Sequence, residues 1–185
     1  MEALVEKTKE TMVLMDPKNV RAKFGCVKHE LTTEKLDGFV IDAVNKGGKV
    51  VHGGKRGADE HGMGRFYEPT IIDNANQDMN IANLRKIGPI VAVQGVDSPA
   101  TARKIINKQL YGLDTYIFSK DALTVDQMVH LLDVGTVHVN DLPLYSDDFL
   151  PVTGRKRSSR VFKGTCKEGL LKFTKSKGVN FNNYA

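Results

Sequence analysis

An α/β fold, with a mostly parallel sheet and helices on both faces, is predicted by three features of the sequence. Short apolar runs of strand length alternate with stretches whose apolar residues recur every three or four positions. The strand-like runs are apolar almost throughout rather than on alternate residues, as strands covered on both faces require. No apolar run reaches the length that a membrane-spanning helix needs. With 185 residues, 41% of them hydrophobic and 26% charged, the composition is that of an ordinary globular chain. Residues 1–177 are expected to form a single compact unit that includes a basic segment at 151–177, with 178–185 as a tail or an edge strand.

Taken in order, Glu2 to Met12 predicts a helix with Leu4, Val5, Thr8 and Met12 on one side, ended by Asp16-Pro17. Thr32-Thr33-Glu34 resembles a helix start. Leu36, Phe39, Val40, Ala43 and Val44 then repeat at spacings of three and four until Gly47-Gly48 stops the run. Lys49 to His52 reads as a short buried strand closed by Gly53-Gly54. Residues 54–67 are glycine-rich and polar and predict an exposed loop, after which Pro69 opens a strand at Thr70-Ile71-Ile72. Pro89 to Val93 is another strand, and Ser98-Pro99 caps a helix through Ala102, Ile105 and Ile106. Asp114 to Phe118 predicts a strand. Asp121 to Leu132 predicts a helix with Leu123, Met128, Leu131 and Leu132 inward, and Thr136 to Val139 a further strand.

Charge is unevenly distributed. The net charge is +5, yet residues 1–150 carry 18 Lys and Arg against 21 Asp and Glu, whereas 151–185 carry 9 against 1. Such an asymmetry suggests that the C-terminal segment meets an acidic surface. The N-terminus lacks the apolar stretch of a secretory signal, so an intracellular, cytoplasmic location is expected. Cys26 and Cys166 are far apart and form no metal-binding motif, so both are read as buried or half-buried free thiols. His52, His61 and His138 are not spaced to share a metal, and none is predicted.

In order along the chain come Gly53-Gly54, Glu68-Pro69-Thr70, Gly88-Pro89-Ile90 and Asn107 followed by Tyr111-Gly112-Leu113. Gly135 to Asp141 (GTVHVND), Pro151 to Ser158 (PVTGRKRS) and Thr174 to Lys177 (TKSK) complete the series. Together they resemble the C-terminal, catalytic-domain part of the aldehyde dehydrogenase family over about residues 1–178. The pattern is nearest to the lactaldehyde and non-phosphorylating glyceraldehyde-3-phosphate dehydrogenase branches. The resemblance implies the family's catalytic-domain fold without its coenzyme-binding domain. It also implies that the nucleophilic cysteine lies upstream of the matched region.

Aldehyde oxidation of this kind needs a thiolate nucleophile, an oxyanion donor, a carboxylate base and a bound nicotinamide. The matched part of the family contributes one cofactor contact, the Glu and Phe of an E-x-F-G-P pattern. Here those positions are Arg85 and Ile87, in Leu84-Arg85-Lys86-Ile87-Gly88-Pro89. A guanidinium only donates hydrogen bonds, so it cannot accept from ribose hydroxyls, and Ile87 offers no ring face. A second departure comes where the family's P-F-G-G-x-K-x-S-G-x-G-R meets PVTGRKRSSRVF. Pro151, Gly154, Lys156 and Ser158 match, while Val152, Thr153, Ser159, Val161 and Phe162 do not.

The expected function is therefore a catalytically inactive, aldehyde-dehydrogenase-like structural or interaction module, with no catalytic residue and no cofactor. It would belong to a larger assembly, such as one on an acidic cytoskeletal polymer. Arg155, Lys156, Arg157, Arg160 and Lys163 are the expected docking cations, with self-association through 178–185 as a further expectation. No nucleic-acid reading motif accompanies these cations. The alternative is a fragment of an NAD(P)-dependent aldehyde oxidoreductase that obtains nucleophile and cofactor from a second chain. A weaker third reading is a small-molecule binder that uses the region near Tyr145 to Phe149.

Overall fold

The computed structural model describes residues 1–58, 61–62, 65–141, 154–158, 166–171 and 173–182. They fall into two compact units, Met1–Asp97 and Ser98–Ala185, where the sequence reading expected one.

In the first unit, α1 (Glu2–Thr11) contributes no fully buried residue. Val5, Thr8 and Met12 are half-covered, and Leu4 is exposed. The central helix α2 (Glu30–Asn45) begins two residues before the expected Thr32. Its face of Leu36, Phe39, Val40 and Ala43 enters a core with Tyr67, Ile72, Met79, Ile81 and Ile90, while Val44 faces outward. Burying a side chain such as Leu36 fully contributes about 2–3 kcal/mol, so this stripe is what anchors α2. At its C-terminus, Lys46 and Gly47 turn the chain away, Gly47 at φ +91°. Asn76 and Asn74 donate side-chain amides to their two carbonyls, at 3.0 Å each.

The sheet of this unit is mixed. β4 (Thr70–Asp73) lies between β1 (Lys49–His52), its antiparallel partner, and β5 (Ile90–Ala92), its parallel one. The predicted strands are present. The expected loop at 54–67 is not simply a loop: β2 (Arg56–Gly57) pairs antiparallel with β3 (Phe66–Tyr67), and Phe66 and Tyr67 are completely buried. The polar composition around this aromatic pair concealed a two-residue strand that contributes core. A short helix, α3 (Asn80–Asn83), follows and buries Ile81.

In the second unit, Ser98 caps α4 (Pro99–Lys108) by accepting from the Thr101 amide at 3.2 Å, with Pro99 at the first helical position as predicted. β6 (Tyr111–Gly112) precedes β7 (Asp114–Ile117), and β7 pairs in parallel with β8 (Thr136–Val139) across α5 (Ala122–Leu131). Tyr116 and His138 face one another in this register and stack, with ring centroids 4.7 Å apart. Leu132 is buried as expected, but Leu123 and Leu131 are exposed. The helical repeat was read correctly and its inward phase was not, because the surface α5 covers is non-local. β9 (Arg155–Lys156) pairs antiparallel with β6, and α6 (Cys166–Leu171) follows. Residues 178–182 are exposed and form neither helix nor strand, so the expected edge strand is not seen there, and 183–185 lie outside the described residues. Among the described residues no helix is long and apolar enough to cross a membrane.

Candidate functional site

Most of the motifs that single out this sequence hold the fold rather than carry chemistry. Gly53, at φ +65°, lies so close to Pro69 that an added Cβ would sit 2.3 Å from the Pro69 carbonyl oxygen. Beside it the Gly54 amide donates to the Thr70 hydroxyl at 2.8 Å, and that hydroxyl donates to the Glu68 carbonyl at 2.7 Å. The Gly-Gly and Glu-Pro-Thr motifs are thus two sides of one clasp.

A second clasp joins the motifs of the other unit. Asn107 donates to the Leu131 carbonyl and accepts from the Asp133 amide, both at 2.8 Å, so it ties the end of α4 to the end of α5. Gly112 admits no Cβ because the Asp133 carbonyl oxygen would lie 2.8 Å from it, and its amide donates to the Ser158 hydroxyl at 3.0 Å. Asn140, at φ +51°, exchanges two hydrogen bonds with the Ser119 backbone, at 2.9 Å each.

This arrangement sorts the five expected docking cations. The Lys156 ammonium donates to the carbonyls of Ile106 and Asn107, at 3.1 Å each, and so caps the C-terminus of α4. Arg155 reaches Asp133 at 3.2 Å but remains largely exposed, and Arg157 is exposed. Arg160 and Lys163 lie outside the described residues, as does the Tyr145 to Phe149 region.

Arg85 and Ile87, expected from the resemblance to stand at a cofactor contact, lie in the extended stretch between α3 and β5. Its path is set at both ends. Gly88 has φ +148° and approaches Leu36 so closely that a Cβ would sit 2.7 Å from Cδ1, which only glycine permits. The Lys86 ammonium donates to the Ile81 carbonyl at 2.8 Å, and desolvation of that ammonium pulls its pKa below the usual lysine value. Although its ammonium is bonded back, Lys86 is exposed as a residue, and so are its neighbours Arg85 and Ile87.

They line a cavity of about 730 Å³ that the sequence reading did not anticipate. Its other wall is the start of α2 and the segment ahead of it: Lys28, His29, Thr32, Lys35, Leu36 and Phe39. Asn80 completes the rim. Its amide donates at 2.7 Å to Asp42, which also holds the Lys46 ammonium at 2.6 Å, and these two contacts, Lys46 first, keep the Asp42 carboxyl below its ordinary pKa. A repeat was available in the sequence, since 32, 35, 36 and 39 share one face of α2, but Lys28 precedes the helix and Arg85 is some fifty residues away, so only folding brings them there.

The remaining candidates stand apart. Cys26 is exposed, contrary to the expected buried or half-buried thiol, because the segment ahead of α2 runs over the surface. The Cys166 side chain lies outside the described residues. His52 sits in β1 opposite Ile71, and His138 is stacked on Tyr116. Among the described residues no group of three His, Cys, Asp or Glu side chains is placed to hold a metal. Tyr67 is buried without a well-formed hydrogen bond from its hydroxyl, and burial followed by the nearby Asp37 carboxylate pushes its ionisation upward. Asp37 itself accepts from Arg56 at 2.9 Å, and Arg56 also reaches Glu30.

Comparison with known proteins agrees with this arrangement. The model of the "Aldehyde dehydrogenase family" matches residues 1–179. A 3-sulfolactaldehyde dehydrogenase of Priestia aryabhattai is 32% identical over 166 residues, covering 90% of this chain and 32% of that protein. The human mitochondrial succinate-semialdehyde dehydrogenase is 35% identical over 156 residues, covering 84% and 28%. Among solved structures, betaine aldehyde dehydrogenase of Staphylococcus aureus in complex with NAD+ superposes with a TM-score of 0.84 at 30% identity, over 93% of this chain and 34% of that one. The chain spans about a third of the length of the relatives it matches. With the family's model matching nearly all of its length, the chain belongs to the aldehyde dehydrogenase family.

Proposed function

We propose that this segment does not receive a dinucleotide as the family does. It acts instead as a catalytically inactive, aldehyde-dehydrogenase-like module within a larger protein assembly. The observation that carries this reading is the outward placement of Arg85 and Ile87 at the cavity rim. A donor-only guanidinium and an aliphatic side chain there supply neither the acceptor nor the ring face that a nicotinamide riboside needs. The clasps that preserve the fold are retained meanwhile, as expected of a chain kept for its shape. Arg155 and Arg157, with Arg160 and Lys163, then serve to dock an acidic surface, of which a cytoplasmic cytoskeletal polymer is one example.

The test is thermal unfolding in the presence of NAD+, which carries no phosphate monoester. A ligand at a hundredfold excess over its dissociation constant stabilises by about 2.7 kcal/mol, which for a chain of this size raises Tm by roughly 5–10 °C. No shift is expected with NAD+, and a shift of several degrees overturns the reading.

A second reading is favoured by the relatives themselves, which are dehydrogenases about three times as long. Here the chain is part of an NAD(P)-dependent aldehyde oxidoreductase whose nucleophile and cofactor are supplied elsewhere. Gentle native purification with mass spectrometry of stoichiometric companions separates the two. A nucleotide-binding chain of dehydrogenase type supports the second reading, and a filament or an acidic protein partner supports the first.

A further inference from the structure

We propose that the cavity between α2 and the Leu84–Ile87 stretch is a binding site for a small amphipathic anion, a phosphate monoester carried on an apolar body. Three cations line it, Lys28, Lys35 and Arg85, and no carboxylate does. None of the three has an ion-pair partner among the described residues, although Lys7, Lys46, Lys55 and Arg56 of the same unit are all paired. The acidic residues of α2 are turned elsewhere: Glu30 and Asp37 hold Arg56, and Glu34 acts on that same guanidinium. Asp42 is committed to Lys46 and Asn80. The result is a concave patch of positive charge that no described carboxylate compensates, and such a patch attracts and retains anions more strongly than a flat one.

The surface between the cations is apolar. Phe39 rises from α2, and Leu84 and Ile87 face it from the opposite wall, both substantially exposed. A volume of about 730 Å³ is that of a small-molecule site. A phosphate monoester carries close to two negative charges at neutral pH, which suits three unpaired cations better than one carboxylate does, and Arg85 can hold it with two parallel hydrogen bonds. The body attached to it gains by covering Phe39, Leu84 and Ile87. The proposal stands apart from the proposed loss of dinucleotide binding, since it concerns the cavity's own charge and shape.

The experiment is isothermal titration calorimetry of the full chain with hexyl phosphate, inorganic phosphate, hexanol and adenosine monophosphate. Hexyl phosphate should bind at least tenfold more tightly than inorganic phosphate or hexanol. Arg85→Glu and Lys35→Glu, both on exposed positions, should each weaken it about tenfold with Tm unchanged. Should either variant unfold, the unmodified chain still decides: raising the salt from low to moderate ionic strength must weaken hexyl phosphate by several-fold. Tight binding of adenosine monophosphate identifies a nucleotide as the source of the phosphate, and its absence alongside hexyl phosphate binding identifies a lipid-like one. Hexyl phosphate no tighter than its two halves, or indifferent to both charge reversals and to salt, overturns the proposal. A rise of Tm with NAD+, which carries no phosphate monoester, would instead overturn the reading of the function and leave this site standing.

Discussion

Replacing Lys156 by Met tests how the basic C-terminal segment divides between inward and outward roles. The side chain is 15% exposed, and its ammonium donates to two carbonyls at the end of α4, at 3.1 Å each. Carbonyls there lack partners within the helix, and the negative end of its dipole favours a cation. A hydrogen bond to a charged group contributes about 1.5–3 kcal/mol. One ammonium shared by two carbonyls, with some access to water, does not give twice that. Lys156→Met keeps the aliphatic stem and should cost about 2 kcal/mol. Urea unfolding followed by far-ultraviolet circular dichroism reads this as a midpoint lowered by about 1 M, for slopes of about 2 kcal/mol per M. Arg157→Met, at an exposed position, should stay within about 0.5 kcal/mol of the unmodified chain. A Lys156→Met protein equally close to it would refute the capping role and return Lys156 to the docking surface.

Three other outcomes are expected. Gly88→Ala forces a Cβ to within 2.7 Å of the buried Leu36 side chain, so urea unfolding should show a loss of at least about 2 kcal/mol, and an unchanged midpoint would mean that the close approach is not real. The Asp42 carboxyl is held below its ordinary value of 3.8, so its contribution is present above about pH 4 and lost as the pH falls through the lower folded value; Asp42→Asn should flatten the acid limb of the stability profile, and an identical limb argues against the Lys46 and Asn80 contacts. Cys26 is exposed, so a disulfide reagent should modify it in the native state in a fast phase that Cys26→Ser removes, and a fast phase surviving that substitution would place the accessible thiol elsewhere.

Much of the fold was legible because it is encoded locally. The helix start at Ser98-Pro99 is a capping hydroxyl followed by a proline, and the apolar repeat of α2 is a pattern over neighbouring residues, so both could be read without knowing what they touch. Phe66 and Tyr67 were illegible for the opposite reason: two aromatics in a glycine-rich polar stretch give no periodicity, and their burial depends on partners far away in sequence. Leu123 and Leu131 show an intermediate case, where the helix is readable but the face it buries is chosen by its neighbours.

The candidate site divides in the same way. Family membership and the order of the motifs could be read from residue identities alone, and so could the donor-only and aliphatic character of Arg85 and Ile87. Only the tertiary structure decided what those identities do. It bonded the Lys86 ammonium back to the Ile81 carbonyl, folded Lys156 onto the end of α4, and set Lys28 and Lys35 across a cavity from Arg85. Charge is a property of the residue, but whether that charge caps a helix, waits for a ligand or meets a partner depends on which groups the fold leaves within a few ångströms of it.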